Sequence, residues 1–342
     1  VSKRANRILI VADDLTGALD SGCAFAARGY PTRVLLDPAD LPESLANPAI
    51  PVIAIATGTR ELSSSQAAGL VSLIAGMARR FDGVIFKKVD SRLKGHVSAE
   101  LAALCARFRR PVLAAPAIPR LDRLVVNGCV TGAGVAQPIP VADAIGLPAH
   151  IPDTASDADL DLALPADLRD MMYVGAAGLA EALARRLPPG PRPPQIALPL
   201  PALLAIGSRD PVTLTQIDMS GLQPVPAPNG QVPDLATAPL TLVQMTSGDH
   251  PITGAVAGQN FATGIAGQIQ RSRPASLFAC GGETAHAILR KLDIRALNLL
   301  GEVLPGLPVS RSLNGNLTLL TKSGGFGGPD TLARLADKFV KS

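Results

Sequence analysis

Short apolar runs alternate with amphipathic stretches along most of the chain. In the first half, "RILIVA" (7–12), "TRVLL" (32–36), "PVIAIAT" (51–57), "GVIFKKVD" (83–90) and "PVLAAPA" (111–117) read as strands. Between them, "TGALDSGCAFAARG" (16–29), "QAAGLVSLIAGMARRF" (66–81) and "VSAELAALCARF" (97–108) follow helical patterns. Several strands are apolar on both faces, and such strands need cover on both faces. The pattern therefore predicts an α/β fold with a largely parallel sheet flanked by helices.

The alternation stops at "LPPGPRPPQIALPLP" (187–201), which carries seven prolines. A run of this kind can be neither an interior helix nor a central strand. Residues 188–201 are therefore expected to link an N-terminal domain at 1–187 to a C-terminal domain at 202–342. Beyond the linker, "ALLAIGS", "SLFACGGET" and "LTLLTKSGGFGGP" each precede a helical pattern, so the second domain repeats the first domain's plan. Residues 222–240 are expected to form a loop or an edge strand.

Composition narrows the classes of function. The chain has 342 residues, enough for two cores, and 47% hydrophobic with 18% charged residues is globular rather than disordered. No Trp, two Tyr and eight Phe leave little to stack nucleic-acid bases on. A net charge of +4 from scattered basic residues suits a small anion better than a polynucleotide. Cys23, Cys105, Cys129 and Cys280 are too far apart for a zinc site or a disulfide framework and read as reduced thiols. Lys3, Arg4 and Arg7 precede an apolar run of only about six residues, too short for the core of a signal peptide. No segment approaches the roughly 18 apolar residues of a membrane span. A cytoplasmic protein without nucleic-acid or membrane partners is expected.

Charged residues gather where strands end, which is where open α/β sheets bind ligands. Asp13 and Asp14 follow "ILIVA" directly. One acid after a strand commonly caps the next helix, and Asp14 lies within reach of the amides near Thr16 and Gly17. The other, Asp13 by elimination, can accept a ligand hydroxyl's hydrogen bond or its proton, although the two roles are exchangeable. Adjacent carboxylates are also expected to raise one another's proton affinity. In "FKKVDSRLKG" (86–95), Lys87, Lys88, Arg92 and Lys94 surround Asp90 and Ser91. Alternate strand residues point to opposite faces, so one of Lys87 and Lys88 should face inward or toward the crevice. Arg92 offers a carboxylate a planar fork, and Arg60, after a third apolar run, adds to the same anion site. The second half offers three glycine-containing turns, "IGSRD" (206–210), "CGGETA" (280–285) and "TKSGGFGG" (321–328), suited to close backbone approach by phosphate. There is no GxxxxGK[ST], and no GxGxxG follows the first strand, so neither a P-loop nor a standard dinucleotide site is expected.

"ADDLTGALD", "KKVDSRLKG", "APAIPRLDRLVVNG", "GAAGLAEAL", "IGSRDP", "CGGETA" and "KSGGFG" occur in the order found in the four-carbon acid sugar kinases. The chain resembles that family over residues 8–328. The resemblance implies two α/β domains with the active site in the cleft between them, acid sugar on the first and ATP on the second. It implies phosphorylation of a small sugar acid such as erythronate, threonate or 3-oxo-tetronate at the 4-hydroxyl. ATP and Mg2+ are the expected cofactors, with the metal ligands unassigned, and a homodimer is compatible with the reading. By position, Asp13 and Asp14 take the catalytic roles, and Arg60, Lys88, Asp90, Ser91 and Arg92 the substrate side. Ser208, Gly281, Gly282, Glu283, Thr284, Gly325 and Gly327 take the nucleotide side. "TGTR" (57–60) stands where the family has acid-Ser-Arg, "DSRLKG" replaces a pattern nearer DSTLRG, and Gly325 stands where Asn is common. The chain is also short against typical members around residues 147–170 and 210–255. Two alternatives stay open: a non-catalytic binding protein derived from such a kinase, and a nicotinamide-dependent oxidoreductase, against which the missing fingerprint counts.

Overall fold

β1 (Ile8–Ala12) is apolar and buried at every position, as a strand covered on both faces must be. In this computed structural model, residues 7–193, 195–236 and 238–341 are described. Lys3 and Arg4 of the basic N-terminus, and Pro194 within the expected linker, lie outside them. The chain divides into two compact units, Val1–Pro193 and Pro194–Ser342.

In the first unit, β1 lies beside β3 (Val52–Ala56) and β4 (Val84–Lys88). β2 (Thr32–Leu35) extends the sheet on one side, and β9 (Met172–Gly175) and β5 (Val112–Ala115) extend it on the other. The order is β2-β3-β1-β4-β9-β5, and every pairing is parallel. Parallel neighbours require helical crossovers. α1 (Leu15–Ala26) packs on α7 (Ala177–Arg186), while α3 (Ser64–Met77) packs on α4 (Val97–Phe108). The route through α1 leads from β1 to one side, and α3 carries the chain from β3 back past β1 to β4. The end of β1 is thus the point where the direction of winding reverses, and such points bind ligands. Ala12 is level with Ala56 of β3 and Lys88 of β4, so the residues following all three strands emerge together.

A small antiparallel sheet, absent from the sequence pattern, follows β5: β6 (Arg123–Val126), β7 (Cys129–Gly132) and β8 (Ile139–Pro140). Its strands are too short and too unevenly buried to show a period. Its first turn does have a local signal, because Asn127 and Gly128 both have positive φ (50° and 71°) between the paired Val126 and Cys129. That is the two-residue hairpin that Asn-Gly favours.

The second unit has a parallel run of β11 (Val225–Pro228), β12 (Leu240–Thr246), β10 (Ala202–Ile206), β13 (Ser276–Cys280) and β16 (Thr318–Lys322). β14 (Ala296–Leu304) and β15 (Leu307–Ser312) continue it antiparallel. α8 (Pro211–Met219) follows β10, α10 (Gly282–Lys291) follows β13 and α11 (Thr331–Lys341) follows β16. Leu204, Ile206, Phe278 and Leu320 share one buried cluster with Ile217, Leu332 and Phe339, which fixes α8 and α11 against the sheet. Both units are α/β with a largely parallel sheet flanked by helices. The expected loop or edge strand at 222–240 contains β11, a sheet edge. No helix among the described residues is long and apolar enough to cross a membrane.

Candidate active site

The polar residues that follow β1, β3 and β4 meet at the reversal point. Asp14 caps α1: its Oδ1 accepts from the Gly17 amide at 2.7 Å and its Oδ2 from the Thr16 hydroxyl at 3.0 Å. Asp13 is buried, and Arg60 reaches it across 47 positions of sequence, donating from Nε at 3.0 Å and Nη2 at 2.8 Å to Oδ2. The third nitrogen, Nη1, pairs with Asp14 Oδ2 at 3.0 Å. Asp13 Oδ1 is different. It is buried and has no hydrogen-bond partner. A buried unpaired acceptor costs about 1–3 kcal/mol, and such orphans call for an explanation.

Arg60, expected on the substrate side, gives three of its N–H groups to Asp13 and Asp14. It therefore shapes the acidic pair. For Asp14 the outcome is the reverse of the expected rise in proton affinity. Burial does raise Asp14, yet Lys88, Arg60, the Gly17 amide and the Thr16 hydroxyl outweigh it and hold the carboxyl below the usual carboxylate range.

The basic stretch after β4 divides as alternating strand residues should. Lys87 is buried and pairs with the buried Glu100 of α4 at 2.5 Å. Lys88, also buried, donates to the Val89 carbonyl at 2.8 Å, and its charge acts on Asp14 and on Asp20. Asp20, one helical turn beyond the cap residues, was not singled out from sequence. Burial raises its pKa against the pull of Lys88 and Arg120, and Asp14 adds to the rise. Asp90 folds back on its own turn and accepts from the Arg92 amide at 2.8 Å. The Ser91 hydroxyl is buried and accepts from Arg123 Nη1 at 2.6 Å. The structure thus brings Asp13, Asp14, Arg60, Lys88, Asp90, Ser91 and Arg92 to one end of the first sheet.

The nucleotide candidates form a separate group, at the ends of β10, β13 and β16, which are adjacent parallel strands. The amides of Gly207 and Ser208 donate to the Cys280 carbonyl at 3.1 and 3.2 Å, and the Gly281 amide donates to that of Lys322 at 2.8 Å. Gly281 is the N-cap of α10 at φ 106°, with no side-chain cap. The first amides of that helix are therefore not satisfied by a capping side chain, the arrangement that suits phosphate. A Cβ on Gly207 would collide with the Thr284 side chain, and one on Gly324 with Ser208. These contacts gather Ser208, Thr284, Gly281 and the third turn. Gly325 faces the Asp210 carboxylate, which lies 3.2 Å from where a Cβ would stand. Gly282 and Glu283 open α10, with Glu283 exposed.

Gly327 needs a different explanation from the one expected. Its φ is 89°, and a Cβ would meet Thr331 Oγ1 at 2.5 Å, so the turn's own packing already demands glycine there. A residue missed from the same motif is Lys322. It is buried, and Nζ donates to the carbonyls of Ser323, Gly324 and Phe326 at 2.9, 2.9 and 3.0 Å. Gln216 adds two more ties, to Phe326 and Gly328 at 3.0 and 2.9 Å. Among the described residues, no group of three or more His, Cys, Asp or Glu could hold a metal ion by itself. Mg2+ that travels with nucleotide phosphates commonly takes only one or two protein carboxylates; Asp210, whose Oδ1 caps α8, and the exposed Glu283 are carboxylates at this cluster.

Comparison with known proteins follows the same division. A family model described as "Sugar-binding N-terminal domain" matches residues 8–144, and one described as "Nucleotide-binding C-terminal domain" matches residues 243–332. A D-threonate kinase of Salmonella typhimurium is 25% identical, with 95% of this chain and 96% of that protein aligned. A D-threonate kinase of Cupriavidus necator is 29% identical over 93% and 94% of the two chains. A solved Haemophilus influenzae protein superposes with a TM-score of 0.73 at 16% identity, covering 97% of this chain and 100% of that one, a likeness of fold.

Proposed function

We propose that this chain, which belongs to the four-carbon acid sugar kinase family, transfers the γ-phosphoryl group of ATP to the 4-hydroxyl of a small sugar acid. Threonate, erythronate and 3-oxo-tetronate are the candidate acceptors, in line with relatives named for each of them.

The observation that carries this reading is Asp13 Oδ1, a buried carboxylate oxygen without a partner at the reversal point of the first sheet. Phosphoryl transfer asks the protein for positioning and for an acceptor of the hydroxyl's proton. Arg60 fixes Asp13 through the opposite oxygen, so Oδ1 is held ready for a hydroxyl donor. Asp14 is occupied as the cap and orders the turn. Arg92, on the basic turn after β4, supplies positive charge that an acid sugar's carboxylate needs. In the second unit, the amides opening α10 and the turns at Ser208 and Gly324–Gly325 suit the phosphates of ATP. Mg2+, when bound, would neutralise charge on the β- and γ-phosphate oxygens.

The test is a coupled ADP-release assay with purified protein, ATP and a panel of aldonic and 3-oxo acids, with product identified by mass spectrometry. The expected result is ADP release that depends on a four-carbon acid and yields its 4-phosphate. ATP consumption that ignores every acid would overturn the reading, as would nucleotide and acid binding without turnover.

A further inference from the structure

The hairpin after β5 carries an arginine that neither the acidic pair nor the glycine turns use. Arg123 opens β6, and its backbone is held both ways by Ile118. The Ile118 amide donates to the Arg123 carbonyl at 2.7 Å, and the Arg123 amide donates to the Ile118 carbonyl at 3.3 Å. The side chain is fixed as well. Nε and Nη2 donate to the Ala133 carbonyl at 3.2 and 2.9 Å, and Nη1 donates to the buried Ser91 hydroxyl at 2.6 Å. A guanidinium has five N–H donors, so this one is rigidly placed with two still unused.

Ser91 brings it beside Arg92. The Arg92 guanidinium has neither an ion pair nor a hydrogen bond among the described residues, while Asp90 accepts only from its backbone amide. Burial and then the Arg92 charge push the Arg123 pKa below an arginine's ordinary value, and Asp90 opposes them. Of the other cations at this end of the sheet, Arg60 pairs with Asp13 and Asp14, Lys88 lies under the charge of Asp14 and Asp20, and Lys94 is exposed to solvent. What remains is two guanidinium charges facing one carboxylate. A single ligand carboxylate supplies the missing negative charge, and its two oxygens suit planar forks.

We propose that Arg123 and Arg92 together clasp the carboxylate of the sugar acid, with Ser91 holding Arg123 in place, and that this clasp selects acids over neutral polyols. The identity of the acid rests on the kinase reading above; the charge argument does not. A neutral polyol leaves the two guanidiniums unpaired, and a site built around polar partners rejects ligands that leave those partners unmatched.

The experiment is calorimetric titration of D-threonate, of the neutral threitol and of ATP into wild type, Arg123→Met and Arg123→Lys, with steady-state kinetics alongside. For Arg123→Met, D-threonate should bind at least about tenfold more weakly, the loss expected for one charged contact. Threitol and ATP should be within about twofold of wild type. Arg123→Lys keeps the charge without the fork and should recover only part of the loss; it also decides the matter if Arg123→Met does not fold. Unchanged D-threonate affinity, or equal losses for D-threonate and threitol, would overturn the clasp while leaving the kinase reading intact. Binding that depends on Arg123 in a protein that never phosphorylates the acid would do the reverse. Failure of wild type to bind any four-carbon acid would overturn both.

Discussion

Replacing Asp13 by Asn tests the acidic pair at its most informative atom. Arg60 presents two N–H groups to Asp13 Oδ2, at 3.0 and 2.8 Å. In Asp13→Asn the amide oxygen must take that position, because an NH2 group there would face two donors. The NH2 group is then forced into the Oδ1 position, and an acceptor becomes a donor at the oxygen of Asp13 that lacks a partner. A substrate hydroxyl can no longer donate to it or lose its proton to it. Loss of a positioned base slows turnover by about 10²–10⁴, or about 2.7–5.4 kcal/mol of barrier. The effect on folding is small by comparison. The bonds from Arg60 survive but lose charge assistance, which costs about 1 kcal/mol, or a few degrees of Tm. The assay is kcat for ADP release, with KM for both substrates and a melting curve on the same preparation. Turnover within about threefold of wild type would show that Asp13 Oδ1 accepts no proton and that the pair is structural. A large fall in Tm with the fall in rate would point to misfolding instead, and Asp13→Glu, which retains the carboxylate, would then serve as the control.

Asp14 should behave in the opposite way. Asp14→Ala removes the cap of α1 and should cost roughly 1 kcal/mol of stability, with less effect on rate than Asp13→Asn. Its carboxyl sits below an ordinary aspartate's 3.8, so its contribution is fully present above that value and is lost as pH falls through the lower folded value. Wild type should therefore lose Tm below about pH 4 more steeply than Asp14→Asn, and parallel curves would refute the assignment. In the second unit, Lys322→Met leaves the carbonyls of Ser323, Gly324 and Phe326 without their shared donor. ATP affinity should fall at least about tenfold while D-threonate affinity holds; unchanged ATP binding by calorimetry would detach that turn from the nucleotide.

What could be read from the chain, and what could not, follows from the range of each interaction. The strands were legible because burial on both faces writes itself as unbroken apolar runs, and the Asp14 cap because its partners are two and three residues away. The role of Arg60 was not, since its partners lie 47 positions off and only the level ends of β1 and β3 bring them together. A cation after a strand looks the same in sequence whether it waits for a ligand or already holds two carboxylates. Lys87 and Lys88 pose the same problem: strand alternation separates them, but only the position of Glu100 on α4 determines which one is paired away from the acidic cluster. Arg123 was hidden twice, by a hairpin too short to show a period and by a partner 32 positions away. Its Asn-Gly turn was nonetheless in plain sight, and a hairpin there would have directed attention to the residues flanking it. The charge surplus at this end of the sheet follows from these long-range pairings. Basic residues near a strand end indicate only that an anion is welcome. Setting aside Arg60 and Lys88, which carboxylates already attract, directs attention to Arg92 and Arg123 as the guanidiniums proposed to receive it.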